Sequence, residues 1–210
     1  MDQSQLDQLR EHYHDYFAVE QAVLANIKPL SQPLPTDKEF LHMIPEPFLM
    51  ASEQANLDRS ALRSLSQLGE MAEELTFYLR AQAKKLDMLM RYLLIQQDDP
   101  SFRRHTYSFG GSALNFISKT PFVTGQTLEV KLFLNGTDGA VYYLATVLDS
   151  LEHMTPPAET DENKDPSYRV QCVVSRIRDE DREVLVRASL HEQSRQLKAK
   201  AKLRQSSGIQ

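Results

Sequence analysis

Cysteine is nearly absent from this chain: Cys172 is the single one in 210 residues. An internal disulfide and a thiolate zinc site are thereby excluded. Cys172 sits in an alternating run with Tyr168, Val170 and Val174, which predicts a buried thiol rather than a nucleophile. Long apolar runs are missing too. No stretch approaches the about 20 apolar residues that a membrane helix needs. The opening MDQSQLDQLREHYHDY has no apolar signal core, so a cytoplasmic location is expected. Positive charge is not in excess: 24 Lys and Arg stand against 29 Asp and Glu, a net −5. No general field draws in DNA or RNA.

Catalytic signatures are also lacking. There is no GxxxxGK phosphate loop and no GxSxG elbow. His12, His14, His42, His105, His153 and His191 are scattered, and two residues apart on a helix His12 and His14 face different ways. Glu159, Asp161, Glu162 and Asp165 lack the ligand order of an EF-hand. The basic tail of Arg195, Lys198, Lys200, Lys202 and Arg204 reads as a solvated helix end whose charge complements the dipole. No catalytic residue, metal ligand or cofactor is expected, and the chain is read as a non-enzyme.

What is present is an ordinary globular composition, 41% hydrophobic and 25% charged. Residues 3 to 28 read as a helix with Leu6, Leu9, Tyr13, Tyr16, Val23 and Ile27 on one stripe. Pro29 ends it. A proline-marked connector follows, and its apolar residues, Phe40, Ile44 and Phe48 among them, predict packing against a neighbour. Residues 52 to 97 then read as a long helix. Ala61, Leu65, Leu68, Ala72, Leu75, Leu79, Gln82, Leu86, Leu89 and Leu93 step by fours and threes, and only Gln82 is polar. That is a heptad seam for self-association. Met71, Met90 and Leu94 widen it beyond a two-residue seam, implying more than one neighbouring helix.

After Asp98-Asp99-Pro100 the period changes from helical to two. Thr106 to Gly111 reads as a turn, with Arg103 and Arg104 just before it. Ser112 to Ser118, Leu128 to Leu134, Val141 to Leu151 and Tyr168 to Val174 read as strands, with a hairpin turn at Asn135–Gly139. Met154 to Pro166 reads as a loop, and Arg178 to Arg204 as a closing helix. The fold class is α+β: a small antiparallel β-barrel behind long heptad-bearing N-terminal helices, capped by a C-terminal helix. Residues 1–99 are the expected helical oligomerisation region and 100–205 the barrel with its helix.

Residues 104 to 196 resemble a PilZ domain, the small β-barrel best known as a receptor for cyclic di-GMP. Ser108-Phe109-Gly110-Gly111 matches the SxxG part of that family's [D/N]xSxxG motif. Gly125-Gln126-Thr127-Leu128-Glu129-Val130-Lys131-Leu132 matches its second segment, and Val173 to Leu185 with Gln193-Ser194-Arg195 its ending. Thr106 replaces the acidic or amide residue, and the upstream RxxxR pair is absent. The long helices resemble those of the atypical, tetramer-forming group. The resemblance implies a non-enzymatic regulator and a cyclic di-GMP site at Arg103, Arg104, Ser108, Gly110 and Gly111. The interface of a tetramer or dimer would run through Leu65, Leu68, Leu75, Leu79, Leu86, Leu89 and Leu93. The alternative is a ligand-free adaptor that recruits a protein partner.

Overall fold

The computed structural model describes residues 3–51, 73–134, 139–152 and 167–207. The first half of the heptad run with Leu65 and Leu68, the hairpin tip at 135–138 and the acidic stretch at 153–166 lie outside the described residues. Among the described residues the order is α1 (Gln3–Tyr13), β1 (Ala18–Glu20), β2 (Leu24–Pro29), α2 (Asp37–Met43), α3 (Glu73–Ile95), a 3-10 turn (Pro100–Phe102), β3 (Arg103–Gly110), β4 (Ala113–Ser118), β5 (Thr127–Phe133), β6 (Ala140–Glu152), β7 (Tyr168–Arg176) and α4 (Asp179–Ser207).

The strands pair in the order β1-β3-β2-β5-β6-β7-β4, and β3 also pairs with β4. Six strands therefore close on themselves as an antiparallel barrel, while β1 extends the line of β2 along the far half of β3. Closure removes the exposed edges on which sheets aggregate. The expected alternation is present: Leu128, Val130 and Leu132 point into the core, and Glu129, Lys131 and Phe133 are half-buried outside it. Cys172 is fully buried there, and burial pushes its thiol pKa well up, away from reactivity.

The helix expected over residues 3 to 28 stops at Tyr13, and residues 18–20 and 24–29 are strands. The barrel thus takes strands from both sides of residue 100. Val23, Ala25 and Ile27 fit a period of two as well as a helical stripe, and all three are buried in the barrel core. The gap between β3 and β5 decides between the periods. β2 fills it, pairing Ala25 with Arg104 on one side and Leu132 on the other. Pro29, which has no ladder donor, ends the strand.

The connector packs as expected. Thr36 and Glu39 form a reciprocal capping box that starts α2. Phe40, Ile44 and Phe48 form a second core with Tyr142 and Leu144 from the outer face of β6, each buried side chain contributing about 1.5–3 kcal/mol. This explains the unbroken apolar run Ala140 to Ala145: alternate residues of β6 face the barrel interior and this outer cluster. Leu94, near the end of α3, joins the same cluster and ties that helix to the barrel. At the other end, Arg178 makes a two-pronged ion pair with the buried Asp181 at 2.8 and 3.0 Å. That pair fixes the first turn of α4 so that Val184, Leu185 and Ala188 close the barrel.

Candidate functional site

The segment Thr106–Gly110 is part of strand β3, not a turn. Extended backbone spreads the five predicted ligand residues out. Arg103 opens β3 opposite Asn26 and Gly110 closes it opposite Ala18, a separation of roughly 20 Å at about 3.3 Å per residue. The structure does not bring all five together.

Arg103 is engaged by Asp98 through both Nε and Nη2. Asn26 completes this corner, donating through Nδ2 to Asp98 at 2.7 Å and accepting from the Asp99 N–H. Partial burial pushes the Asp98 carboxyl upward, and the hydrogen bonds from Arg103 and Asn26, with the Arg103 charge, outweigh it. The net pKa lies below the ordinary value. Arg104 donates to the Arg103 carbonyl at 2.8 Å. Thr106, at the position the motif gives to an acid or amide, accepts from Val23 N–H at 3.0 Å and donates to the Gln21 carbonyl at 2.6 Å. It pins the kink between β1 and β2.

Ser108 is buried, and its hydroxyl accepts from Asn115 Nδ2 at 2.7 Å. The same amide meets the hydroxyl of Tyr13, the last residue of α1, at 2.8 Å. Ser112 donates to the Tyr13 carbonyl at 3.0 Å and accepts from Tyr16 N–H at 3.2 Å. Gly110 and Gly111 are closely covered. A β-carbon on Gly110 would lie 2.3 Å from the Phe17 carbonyl oxygen, and one on Gly111 would lie 2.7 Å from Val186 and 2.9 Å from the Tyr16 ring. Arg182 of α4 donates to the Gly111 carbonyl at 2.7 Å and lies 5.5 Å from the Tyr16 ring. Residues 13–17 therefore form a strap over the SxxG segment.

A register shift between Thr106 and Ser108 marks a bulge in β3 at Tyr107, a feature that re-aims side chains. The Tyr107 hydroxyl donates to Glu20 at 2.9 Å, and the Arg169 guanidinium lies 4.3 Å from the ring. The Nε of Arg169 is buried with no hydrogen-bond partner among the described residues, an arrangement that costs about 1–3 kcal/mol or more for a charged group. Sequence reasoning missed Tyr13, Asn115, Arg169 and Arg182. An amide in the apolar run Ala113-Leu114-Asn115-Phe116-Ile117 was the available signal for one of them. The others depend on contacts across the barrel.

The heptad residues tell a separate story. Along α3 only Thr76 and Leu94 are buried. Leu75, Leu79, Leu86, Leu89 and Leu93 are all exposed. So are Phe77, Met88 and Ile95, at 76, 63 and 67%, on the side of the helix opposite the leucines at about 100° per residue.

No protein-family model matches the chain, and no curated protein matches it. Solved structures do. A Xanthomonas campestris protein described as a new tetrameric PilZ domain self-assembled via an unusual helical bundle aligns with a TM-score of 0.50 at 16% identity, over 92% of this chain and 98% of that one. The PilZ domain of Escherichia coli YcgR with c-di-GMP aligns at 0.39 and 12% identity, over 48% of this chain and 77% of that one. The Bacillus subtilis inhibitor of motility aligns at 0.36 and 15%, over 44% and 42%. The chain is an α+β protein with a PilZ-like barrel fold. No helix among the described residues is long and apolar enough to cross a membrane.

Proposed function

We propose that this chain is a cytoplasmic, non-enzymatic PilZ-type regulator that works as an assembly, with the leucine face of α3 as the contact between copies. The observation that carries this reading is the exposure of Leu75, Leu79, Leu86, Leu89 and Leu93 along one face of a single helix. A heptad face left in water loses the burial that would stabilise it. Phe77, Met88 and Ile95 add a second apolar face, which supports more than two helices in the bundle and hence a tetramer over a dimer. The tetrameric description of the Xanthomonas campestris protein, similar in fold over nearly its whole length, supports the same choice.

Multi-angle light scattering tests it. The wild type is expected as a tetramer at micromolar concentration. Leu75→Lys or Leu86→Lys places a charge on the seam and should yield monomers with the barrel intact, because both side chains are half-exposed in the isolated chain. A monomeric wild type overturns the reading.

Cyclic di-GMP is the effector that the Ser108-Phe109-Gly110-Gly111 motif suggests. Arg103 and Arg104 are weak candidates to grip it, since Arg103 already holds Asp98. The ligand-free adaptor reading draws support from the strap of residues 13–17. Calorimetric titration of cyclic di-GMP into the full chain separates the two.

A further inference from the structure

Gln82 is the polar residue in the seam of α3, and it is half-buried. In heptad terms Leu79, Leu86 and Leu93 take the a positions, and Leu75, Gln82 and Leu89 the d positions. The flanking e and g positions run from Thr76 to Tyr92. Lys85, at g, is the charged residue among them, and it is exposed.

The two ways of packing such a helix on a second copy treat these residues differently. In a parallel pair d faces d, so Gln82 meets its own counterpart. Each amide then has a donor and an acceptor in reach. Lys85 flanks Met90 at e, where its stem covers the thioether side chain and its head reaches water. In an antiparallel pair d faces a in every register, and every a position of the described helix is leucine. Gln82 then enters the seam against an apolar side chain with its amide unmet, which costs free energy. The register that pairs Leu75 with Leu93 and Leu79 with Leu89 also sets the two Lys85 side chains against each other, and like charges repel. One polar residue in an apolar seam is a device that fixes orientation and register.

We infer that the leucine seam joins α3 to a second copy in parallel and in register, with Gln82 and Lys85 as the residues that specify it. The inference rests on the assembly reading and adds to it where the barrels lie. Leu94 ties the C-terminal end of α3 to the outer cluster of the barrel. Parallel helices therefore carry their barrels side by side at one end, and a partner meets two barrels at once. Antiparallel helices would hold them at opposite ends of about 35 Å of helix.

The test is disulfide mapping in the full-length double variant Leu75→Cys/Leu93→Cys. The native thiol, Cys172, is fully buried and stays out of the reaction. The two new thiols of one chain lie about 27 Å apart along the helix and cannot join each other. Mild oxidation and tryptic peptide mapping should find 75–75 and 93–93 links, with 75–93 links at least about tenfold rarer. Adding Gln82→Leu and Lys85→Ala removes the discrimination. The 75–93 links should then rise about tenfold, and the thermal midpoint should rise because the seam loses its polar residue. Dominant or equal 75–93 links in the first variant overturn the inference. So does a second variant that keeps only like-to-like links. Where cysteine in the seam weakens assembly, nitroxide labels on Glu74→Cys, at an exposed position, give the same reading. Parallel copies place the labels about 20 Å apart, and antiparallel copies beyond about 30 Å. Light scattering on the same samples separates the two readings. A monomer overturns the assembly reading itself, while an assembly without like-to-like links or the short distance overturns the orientation alone.

Discussion

At the scale of single residues, the motif positions are held by the fold more tightly than their chemistry suggests. Gly110 is required because the Phe17 carbonyl sits where a β-carbon would go, 2.3 Å away. Gly110→Ala must move backbone against backbone, and a destabilisation of about 1–3 kcal/mol is expected, read as a lower urea midpoint with an unchanged slope. Asp98 yields a pH prediction. Its pKa is depressed in the folded state by Arg103 and Asn26 acting against partial burial. Its stabilising contribution is therefore full above the unfolded carboxylate value near 3.8 and is lost as pH falls through the lower, folded value. Asp98→Asn should be less stable than wild type at neutral pH, and the difference should shrink under acid. Thermal melts from pH 7 down to about pH 2 check the sign; a gap that widens in acid refutes the assignment.

At the scale of elements, the unexpected member is β2. It lies between β3 and β5 and carries Ala25 and Ile27 into the core. A fragment of residues 100–205 lacks it, so the barrel opens along two strands and loses six-strand closure. That fragment should show no cooperative thermal unfolding by circular dichroism. Adding residues 15–34 as a separate peptide should restore part of the signal, as strand addition does in other sheets. A fragment that folds alone with a sharp transition would mean the barrel closes without β2. α1 differs in kind. None of its described side chains is buried, so it should exchange amide hydrogens far faster than β5 or β6.

At the scale of the whole molecule, the described residues present two apolar surfaces with different fates. One is closed within the barrel and its outer cluster. The other, on α3, stays in water in a single copy. The proposed assembly through that face would make stability depend on mass action. The thermal midpoint of wild type should rise with protein concentration, and that of Leu86→Lys should not. A midpoint independent of concentration in both would mean that the leucine face contributes nothing to folding stability.

The strands from Ala113 to Arg176, the closing helix and the helical stretch that became α3 were legible in the sequence, because each is a local period. Leu128-Glu129-Val130-Lys131-Leu132 alternates whatever packs against it, and Leu75 to Leu93 steps by fours and threes in any surroundings. Residues 18–29 were not legible in that way. Val19, Val23 and Ile27 satisfy a helical stripe, and Val23, Ala25 and Ile27 also satisfy alternation. Only the open ladder between Arg104 and Leu132 chooses the strand. The candidate site divides likewise. Ser108 and its glycines belong to a motif that can be read along the chain. The meeting of Arg169 with Tyr107, and of Tyr13 with Asn115, joins residues 62 and 102 positions apart. Tertiary structure decided these contacts, because local periodicity carries no information about which distant side chain a closed barrel will bring alongside.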